Sequence, residues 1–431
     1  MFHISEDKRY FLKDGKPHFF KLDTAWMAFT NLTVKEFEEY VSFRAGQGYN
    51  GLLLQNTPAL QDMTSRVKYQ PFQEKEGGGF DFTRVNKEYF DTAVMKLELM
   101  EEYGLTPFIV PLWVSFIPDS QMVSLFDTKG KLFEDFELYK NFIDFTIDTY
   151  KRFHPVWLLG GDAILDDKNP INFKYYSYMA ERIRKECPED LMSAHIAGGS
   201  YIDMAYVEKG YIDFYTYQSG HMYDEHSNLM SPVVLSEKYR SEYPVKPILN
   251  LEPMYEAHGY GNRFLRFDNY FLRRAFWYSV LSGANTGFTY GAHGIWMFYD
   301  GSGFISENWS KLPLLWRNCI RLPGSYDVIA AARLFQKYNM FRLLPDQEIN
   351  VTGYEEIRTA STMDKELIVS YTPCTQHIDF KIDLTGYRCI WHIFGENKEV
   401  TAMVQRDKDI SIVEMYQYNS DAVLTCEKIP E

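Results

Sequence analysis

Eight short apolar runs, spread over ~290 residues and separated by segments of helical periodicity, dominate the chain; this is the repeat that parallel β/α units need. Parallel neighbours cannot be joined by a tight turn, so each strand must be followed by a crossover, usually a helix. The runs fall at 19–26, 51–55, 107–113, 156–160, 191–196, 212–218, 245–251 and 286–290. Amphipathic stretches near 134–152, 171–187 and 265–282 lie between several of them, and a helix is expected over 87–103, stopping at Gly104. Thr33, with Glu36 three residues on, has the pattern of a capping box, and Asp14-Gly15 predicts a hairpin turn before the first run. An open doubly wound sheet would normally carry a glycine-rich phosphate turn after its first strand, but Leu22-Asp23-Thr24-Ala25-Trp26 has no glycine. The expected fold is therefore α/β: a (β/α)₈ TIM barrel over residues 1–340.

Past residue 340 the pattern changes to short alternating runs, such as 366–371 and 377–382, with turns at Leu384-Thr385-Gly386 and Gly395-Glu396-Asn397. Alternation of period two without helical spacing predicts a small antiparallel β-sandwich over 341–431. No linker-like tract separates the two parts, so they are expected to pack directly.

The net charge of −14 argues against a nucleic-acid partner and against an anionic membrane surface. No apolar stretch is long enough to span a bilayer. The N-terminus shows no basic region followed by an apolar run, so a cytoplasmic location is expected. Five scattered cysteines without paired spacing suggest free thiols. Neither a cofactor nor a metal is expected, because H-E-x-x-H, H-x-H and paired-cysteine spacings are missing. G-x-S-x-G, the mark of a serine nucleophile in an α/β-hydrolase, is missing too. Aromatic residues make up 17% of the chain; most belong to a core, and some suit a carbohydrate cleft, where sugar C–H faces pack on rings.

In a barrel, the C-terminal ends of the strands converge on one site. The fourth strand ends in Trp157-Leu158-Leu159-Gly160-Gly161-Asp162 and the seventh in Ile248-Leu249-Asn250-Leu251-Glu252. A single acid after a strand is more often a helix cap than a catalyst. Two acids on strands four and seven, however, face each other across the mouth, as a retaining glycosidase requires. Asp162 is expected to be the general acid/base and Glu252 the nucleophile. Glu256 competes with Glu252 but lies further into the loop. Candidate sugar-binding groups at the strand ends are Asp23, Trp26, Gln55, Trp113, His195, Gln218, His221, Tyr255, Tyr290, His293 and Trp296, of which about half are expected to reach substrate.

Several of these segments resemble the apiosidase-like glycoside hydrolases, glycoside hydrolase family 140 and its relatives. They are Asp23-Thr24-Ala25-Trp26, the Gly160-Gly161-Asp162 motif, Gln218-Ser219-Gly220-His221, Glu252-Pro253-Met254-Tyr255-Glu256, and the run from Arg274 through Gly283-Ala284 to Thr289-Tyr290-Gly291. The resemblance implies a TIM barrel, an acid/base at Asp162, a nucleophile at Glu252, and a C-terminal β-sandwich of a type named for collagen binding. Three positions depart from the family pattern: Ile196 and Val114 where relatives carry Pro and Gly, and Phe288 where they carry His. These positions are expected to border the pocket, which leaves open whether the sugar is apiose or a similar one. The leading reading is an exo-acting retaining glycosidase that releases a terminal sugar, apiose or similar, from a plant-derived glycoside. An endo-acting β-glycanase, recognisable by an open groove, is the alternative. A non-catalytic carbohydrate-binding protein is disfavoured because both carboxylates are present.

Overall fold

A computed structural model describes the whole chain except residues 59, 61–66, 126–127, 222–228, 260–264, 303–311 and 431. Eight parallel strands form one sheet: β1 (Phe20–Thr24), β2 (Gly51–Gln55), β3 (Thr106–Val110), β4 (Val156–Ala163), β5 (Met192–Ile196), β6 (Tyr215–Gln218), β7 (Ile248–Glu252) and β8 (Gly287–Tyr290). The hydrogen-bonded order is β5-β4-β3-β2-β1-β8-β7-β6. Its two ends are stitched together: the Asp213 N–H donates to the Met192 carbonyl (2.8 Å), the Ser193 hydroxyl to the Phe214 carbonyl (2.6 Å) and the Gly199 N–H to the Gln218 carbonyl (3.2 Å). The sheet thus closes into the expected barrel. All eight runs form strands, most with ends shifted by a few residues; β4 runs on to Ala163, and Trp113 lies past the end of β3.

The helices follow from local sequence. Thr33 and Glu36 form the capping box of helix Val34–Gln47, and Glu36 also receives Lys68 at 2.7 Å. The expected second helix spans Lys87–Glu102 and starts at the Asn86 side chain. Ahead of the barrel, Phe11–Lys13 and Lys16–His18 pair around Asp14-Gly15, joined by Phe2–Ile4. This small sheet plugs the N-terminal end of the barrel. Phe11 is fully buried and packs against Phe20 (5.3 Å) and Phe214 (5.2 Å), and Phe20 meets Phe108 edge-on at 5.0 Å.

The C-terminal part is an antiparallel sandwich. One sheet runs Leu344–Pro345, Arg358–Ser361, Leu367–Thr372, Ala422–Lys428, Tyr387–Ile393, Lys398–Thr401; the other runs Ile378–Phe380, Ile410–Val413, Val404–Asp407. Strand Leu367–Thr372 is buried on both faces. Ile368 joins the core between the sheets with Phe380, Trp391 and Leu424, whereas Leu367, Val369 and Tyr371 join the barrel core. Period-two alternation lets one strand serve both cores.

The barrel-facing contact is locked by charge. Arg273, on helix Asn269–Leu281, donates to both oxygens of Asp421 (2.6–3.1 Å) and to Asp327 (2.6 Å), and the Tyr371 hydroxyl donates to Asp421 at 3.2 Å. Asp421 is 1% exposed, so water cannot replace a lost partner. Among the described residues, no helix is long and apolar enough to cross a membrane, and the five cysteines are free thiols.

Removing one member of a buried ion pair strands the other. Asp421→Ala is therefore expected to lower unfolding stability by about 3 kcal/mol, read from the denaturant midpoint. A loss below about 1 kcal/mol, the size of a surface pair, would show that the lock contributes little.

Candidate active site

The mouth of the barrel holds a cavity of about 410 Å³ walled by Trp26, Trp113, Tyr255 and Trp296, with Gln121, Asp162, Gln218, His221 and Glu252 among its polar groups. Asp162 reaches it through a break in the strand. Gly160 and Gly161 both have φ near +100°, and Asp162 follows at +53°. The β4–β5 register skips there, from His195↔Gly160 to Ile196↔Ala163. Both glycines are required by space as well as by conformation. A Cβ on Gly160 would sit 2.5 Å from the His195 carbonyl oxygen, and one on Gly161 2.4 Å from the Trp113 ring. This bulge turns Asp162 out of the strand's alternation and into the cavity.

Glu252 ends β7, with its side chain 8% exposed. His195 Nε2 lies 2.7 Å from its Oε2 and His221 Nε2 lies 2.9 Å from its Oε1. The other nitrogen of each ring accepts a backbone N–H: His195 Nδ1 from Asp162 (3.1 Å) and His221 Nδ1 from Tyr255 (3.3 Å). Each ring therefore carries its proton on Nε2 and donates it to Glu252. Burial opposes a charge on His195, but the hydrogen bond and charge of Glu252, together with Asp162, outweigh it and raise its pKa. A second proton would nevertheless have to sit on Nδ1, facing the Asp162 N–H, so the geometry favours the singly protonated ring.

The two carboxyls are pushed in opposite directions. Burial would raise the pKa of Glu252, yet the two imidazole donors outweigh it and hold the carboxyl far below the usual carboxylate range. Asp162 lacks such a pair of donors. Burial first, and the charge of Glu252 with it, raises its pKa to about 6 against the opposing pull of His195 and Gln218. Its side chain remains 26% exposed, through the cavity that it lines. One oxygen of each carboxyl and a nitrogen of His195 lie within 4.8 Å of one another. Such a group is close enough to hold a cation, but His195 could ligate one only by giving up its bond to Asp162 or to Glu252.

Glu256 stands apart from this arrangement. It is buried beneath the mouth, where its carboxyl accepts the Tyr290 hydroxyl (2.7 Å) and the Gly324 N–H (3.0 Å), and burial raises its pKa. Of the expected sugar contacts, Trp26, Trp113, Gln218, His221, Tyr255 and Trp296 line the cavity. Five others do not. Asp23 is fully buried and faces outward to helix Val34–Gln47, where Arg44 and Tyr40 each meet its Oδ2 at 2.5 Å. Gln55 turns back to the Thr57 carbonyl, Tyr290 holds Glu256, and His293 accepts the Trp296 indole N–H at 3.3 Å from within the wall. His195 lies behind Glu252, at 1% exposure. The expectation that Ile196, Val114 and Phe288 border the pocket is also corrected. All three are buried in the barrel wall, outside the cavity lining, with Phe288 packed on Phe276 at 5.2 Å. Sequence reasoning missed Gln121, Met122, Leu125 and Ile164, from the segments after β3 and β4, and Ala197 and Gly198, just after β5, all of which line the cavity. No strand-end rule reaches as far as Gln121, Met122 and Leu125.

A family model for the apiosidase-like catalytic domain matches residues 5–342. The chain belongs to the apiosidase-like glycoside hydrolases. The same fold, over nearly the whole chain, occurs in solved structures of low identity. One described as a glycoside hydrolase has a TM-score of 0.81 at 21% identity, covering 99% of this chain and 96% of that one. A glycoside hydrolase family 5 protein from Bacteroides vulgatus has a TM-score of 0.80 at 20% identity, covering 99% and 93%. A family 5 mannosidase from Rhizomucor miehei superposes with a TM-score of 0.52 at 14% identity, covering 78% of this chain and 98% of that one. No curated protein sequence matches the chain.

Gly161→Ala tests the bulge. The strained φ alone should cost about 1–3 kcal/mol of stability. Displacement of Trp113 and Asp162 by about an ångström should lower hydrolysis about a hundredfold in a protein that still folds. Full activity in the folded variant would mean that the bulge does not set the geometry of Asp162.

Proposed function

We propose that this glycoside hydrolase works by double displacement with retention, with Asp162 as general acid/base and Glu252 as nucleophile, and that it releases a terminal sugar, apiose or a similar one, from a plant-derived glycoside. The carrying observation is that two carboxyls have oxygens within 4.8 Å of one another, while their surroundings push their pKa values in opposite directions, Asp162 up and Glu252 down. Retaining glycosidases need their carboxyls about 5–5.5 Å apart, whereas inverting ones need room for a water between them. The chemistry follows from that asymmetry. Ionised Glu252 attacks the anomeric carbon while protonated Asp162 gives its proton to the departing oxygen. Once Glu252 is esterified its charge is gone, the main charge holding the Asp162 pKa up disappears, and Asp162 becomes the base that activates water.

The walls supported by this reading as sugar contacts are Trp26, Trp113, Tyr255 and Trp296, with His221 as a polar neighbour. A cavity of about 410 Å³ suits a terminal sugar with the first atoms of its aglycone better than a long chain, which supports exo action over endo action. Residues 341–431 act in this reading as a stiffening domain packed on the barrel.

Three measurements test the proposal. A slow fluorinated glycoside should label Glu252, as read by mass spectrometry of peptides; label on Glu256 overturns the nucleophile. Asp162→Ala should lose about 10²–10⁴-fold on poor leaving groups, and on an activated aryl glycoside azide should restore turnover, because it attacks the glycosyl-enzyme without a base. Because the acid must be protonated, kcat/KM should fall as pH rises through about 6, the range to which Asp162 is raised. Its acid limb should lie well below, where Glu252 takes a proton. An alkaline limb near pH 9 would exclude Asp162 as the acid. A panel of aryl glycosides that includes apiosides identifies the sugar.

A further inference from the structure

Asp162 is fixed at three points. Its N–H donates to His195 Nδ1 (3.1 Å), its carbonyl accepts Gln121 Nε2 (2.7 Å), and its Oδ1 accepts Gln218 Nε2 (3.0 Å). Among the described residues nothing donates to or accepts from Oδ2, and the carboxyl lines the cavity. Gln218 is itself held in place. The β6–β7 register skips at this residue, from Tyr217↔Asn250 to Gln218↔Glu252, and its carbonyl accepts the Gly199 N–H. Its amide lies against Gly198, where a Cβ would sit 2.7 Å from Oε1 and force the amide to shift.

We propose that Gln218 is a positioning residue for proton transfer, its amide holding Asp162 Oδ1 so that the proton rides on Oδ2 and points at the glycosidic oxygen. The inference rests on Asp162 being the acid. A side-chain amide donating to Oδ1 is compatible with both protonation states, because Oδ1 accepts whether the carboxyl is neutral or ionised. The amide therefore fixes orientation without blocking the cycle. In the first step the glycosidic C–O bond breaks as Glu252 bonds to the anomeric carbon. The bonding pair stays with the leaving oxygen, and the Oδ2 proton goes to that oxygen. In the second step a water proton returns to Oδ2 as its oxygen takes the anomeric carbon and Glu252 is released. An alternative role, in which Gln218 mainly contacts the sugar, would leave the proton transfer unaffected.

The test is a leaving-group series on Gln218→Ala, using phenyl, nitrophenyl and dinitrophenyl glycosides of the sugar that the wild-type enzyme cleaves. A dinitrophenolate departs without a proton, so only the poorer leaving groups need Asp162. The expected result is a loss of about tenfold to a hundredfold in kcat/KM on the phenyl glycoside and little loss on the dinitrophenyl one. The alkaline limb should also move to higher pH, because the amide hydrogen bond favours ionised Asp162. Gly198→Ala, which crowds the amide without removing it, should show the same pattern more weakly and covers the case in which Gln218→Ala does not fold. An equal loss on every substrate, with a raised KM and an unmoved limb, overturns the inference in favour of a sugar contact. Asp162→Ala run on the same series separates the two levels. If it shows the leaving-group pattern and Gln218→Ala does not, the inference about Gln218 fails alone. If Asp162→Ala lacks that pattern, the assignment of the acid fails with it.

Discussion

A carboxylate taken out of water is unstable unless something else solvates it, and the mouth of this barrel is organised around meeting that need for Glu252. Two imidazole N–H groups from β5 and from the loop after β6 reach its two oxygens, and each ring is oriented by a backbone N–H on its far side. One of those backbone groups belongs to Asp162. The same contact that fixes His195 for Glu252 therefore also fixes the main chain of the second carboxyl. Because the donors are spent on Glu252, Asp162 remains the carboxyl with the raised pKa. Without both histidines the pair would share its charge less unequally, and neither residue would be committed to one role.

The geometry around this pair depends on irregular backbone. A regular strand would alternate Asp162 with its neighbours and could not place its N–H on His195 and its carboxyl on Gln218 together. The double-glycine bulge does so, and it works because the space on its two sides is already taken by the His195 carbonyl and the Trp113 ring. Trp113 is thus both a cavity wall and a constraint on the backbone that carries Asp162. The skip in register opposite Gln218 plays the corresponding part on the other side of the mouth.

Much of this was legible in the sequence, and the boundary of what was legible is physical. Strand positions were readable because apolar runs of strand length recur with helical segments between them. Counting strands then placed Asp162 and Glu252 at the mouth, where the structure brings the two carboxyls together. What counting cannot supply is the direction of a side chain at a strand end. Asp23 lies one residue before the end of β1, whereas Glu252 is the last residue of β7, and Arg44 and Tyr40, on the helix after β1, hold the Asp23 carboxyl on the outside of the barrel. Tyr290 ends β8, yet its hydroxyl is taken by Glu256 from an adjacent loop. These partners are distant in sequence or lie on the next element, and no local pattern announces them. The departures from the family pattern were misplaced for a related reason: Ile196, Val114 and Phe288 sit beside site residues in sequence while facing the wall in space.

The sandwich shows how a second part can be added to a barrel without a separate interface core. Strand Leu367–Thr372 gives one face to each hydrophobic core, and Arg273 joins the layers through Asp421 and Asp327. Helix Asn269–Leu281, which carries Arg273, precedes β8, and Asp327 lies on helix Pro323–Lys337, which follows it. The same helix presents Gly324, whose N–H holds Glu256 beneath the mouth. The sandwich and the active-site floor therefore both bear on the first turns of one helix, at Asp327 and Gly324. Loss of the Asp421 lock would be felt first in the packing of that helix, and through Glu256 and Tyr290 in the floor, before it reached the Glu252 clamp on β5 to β7.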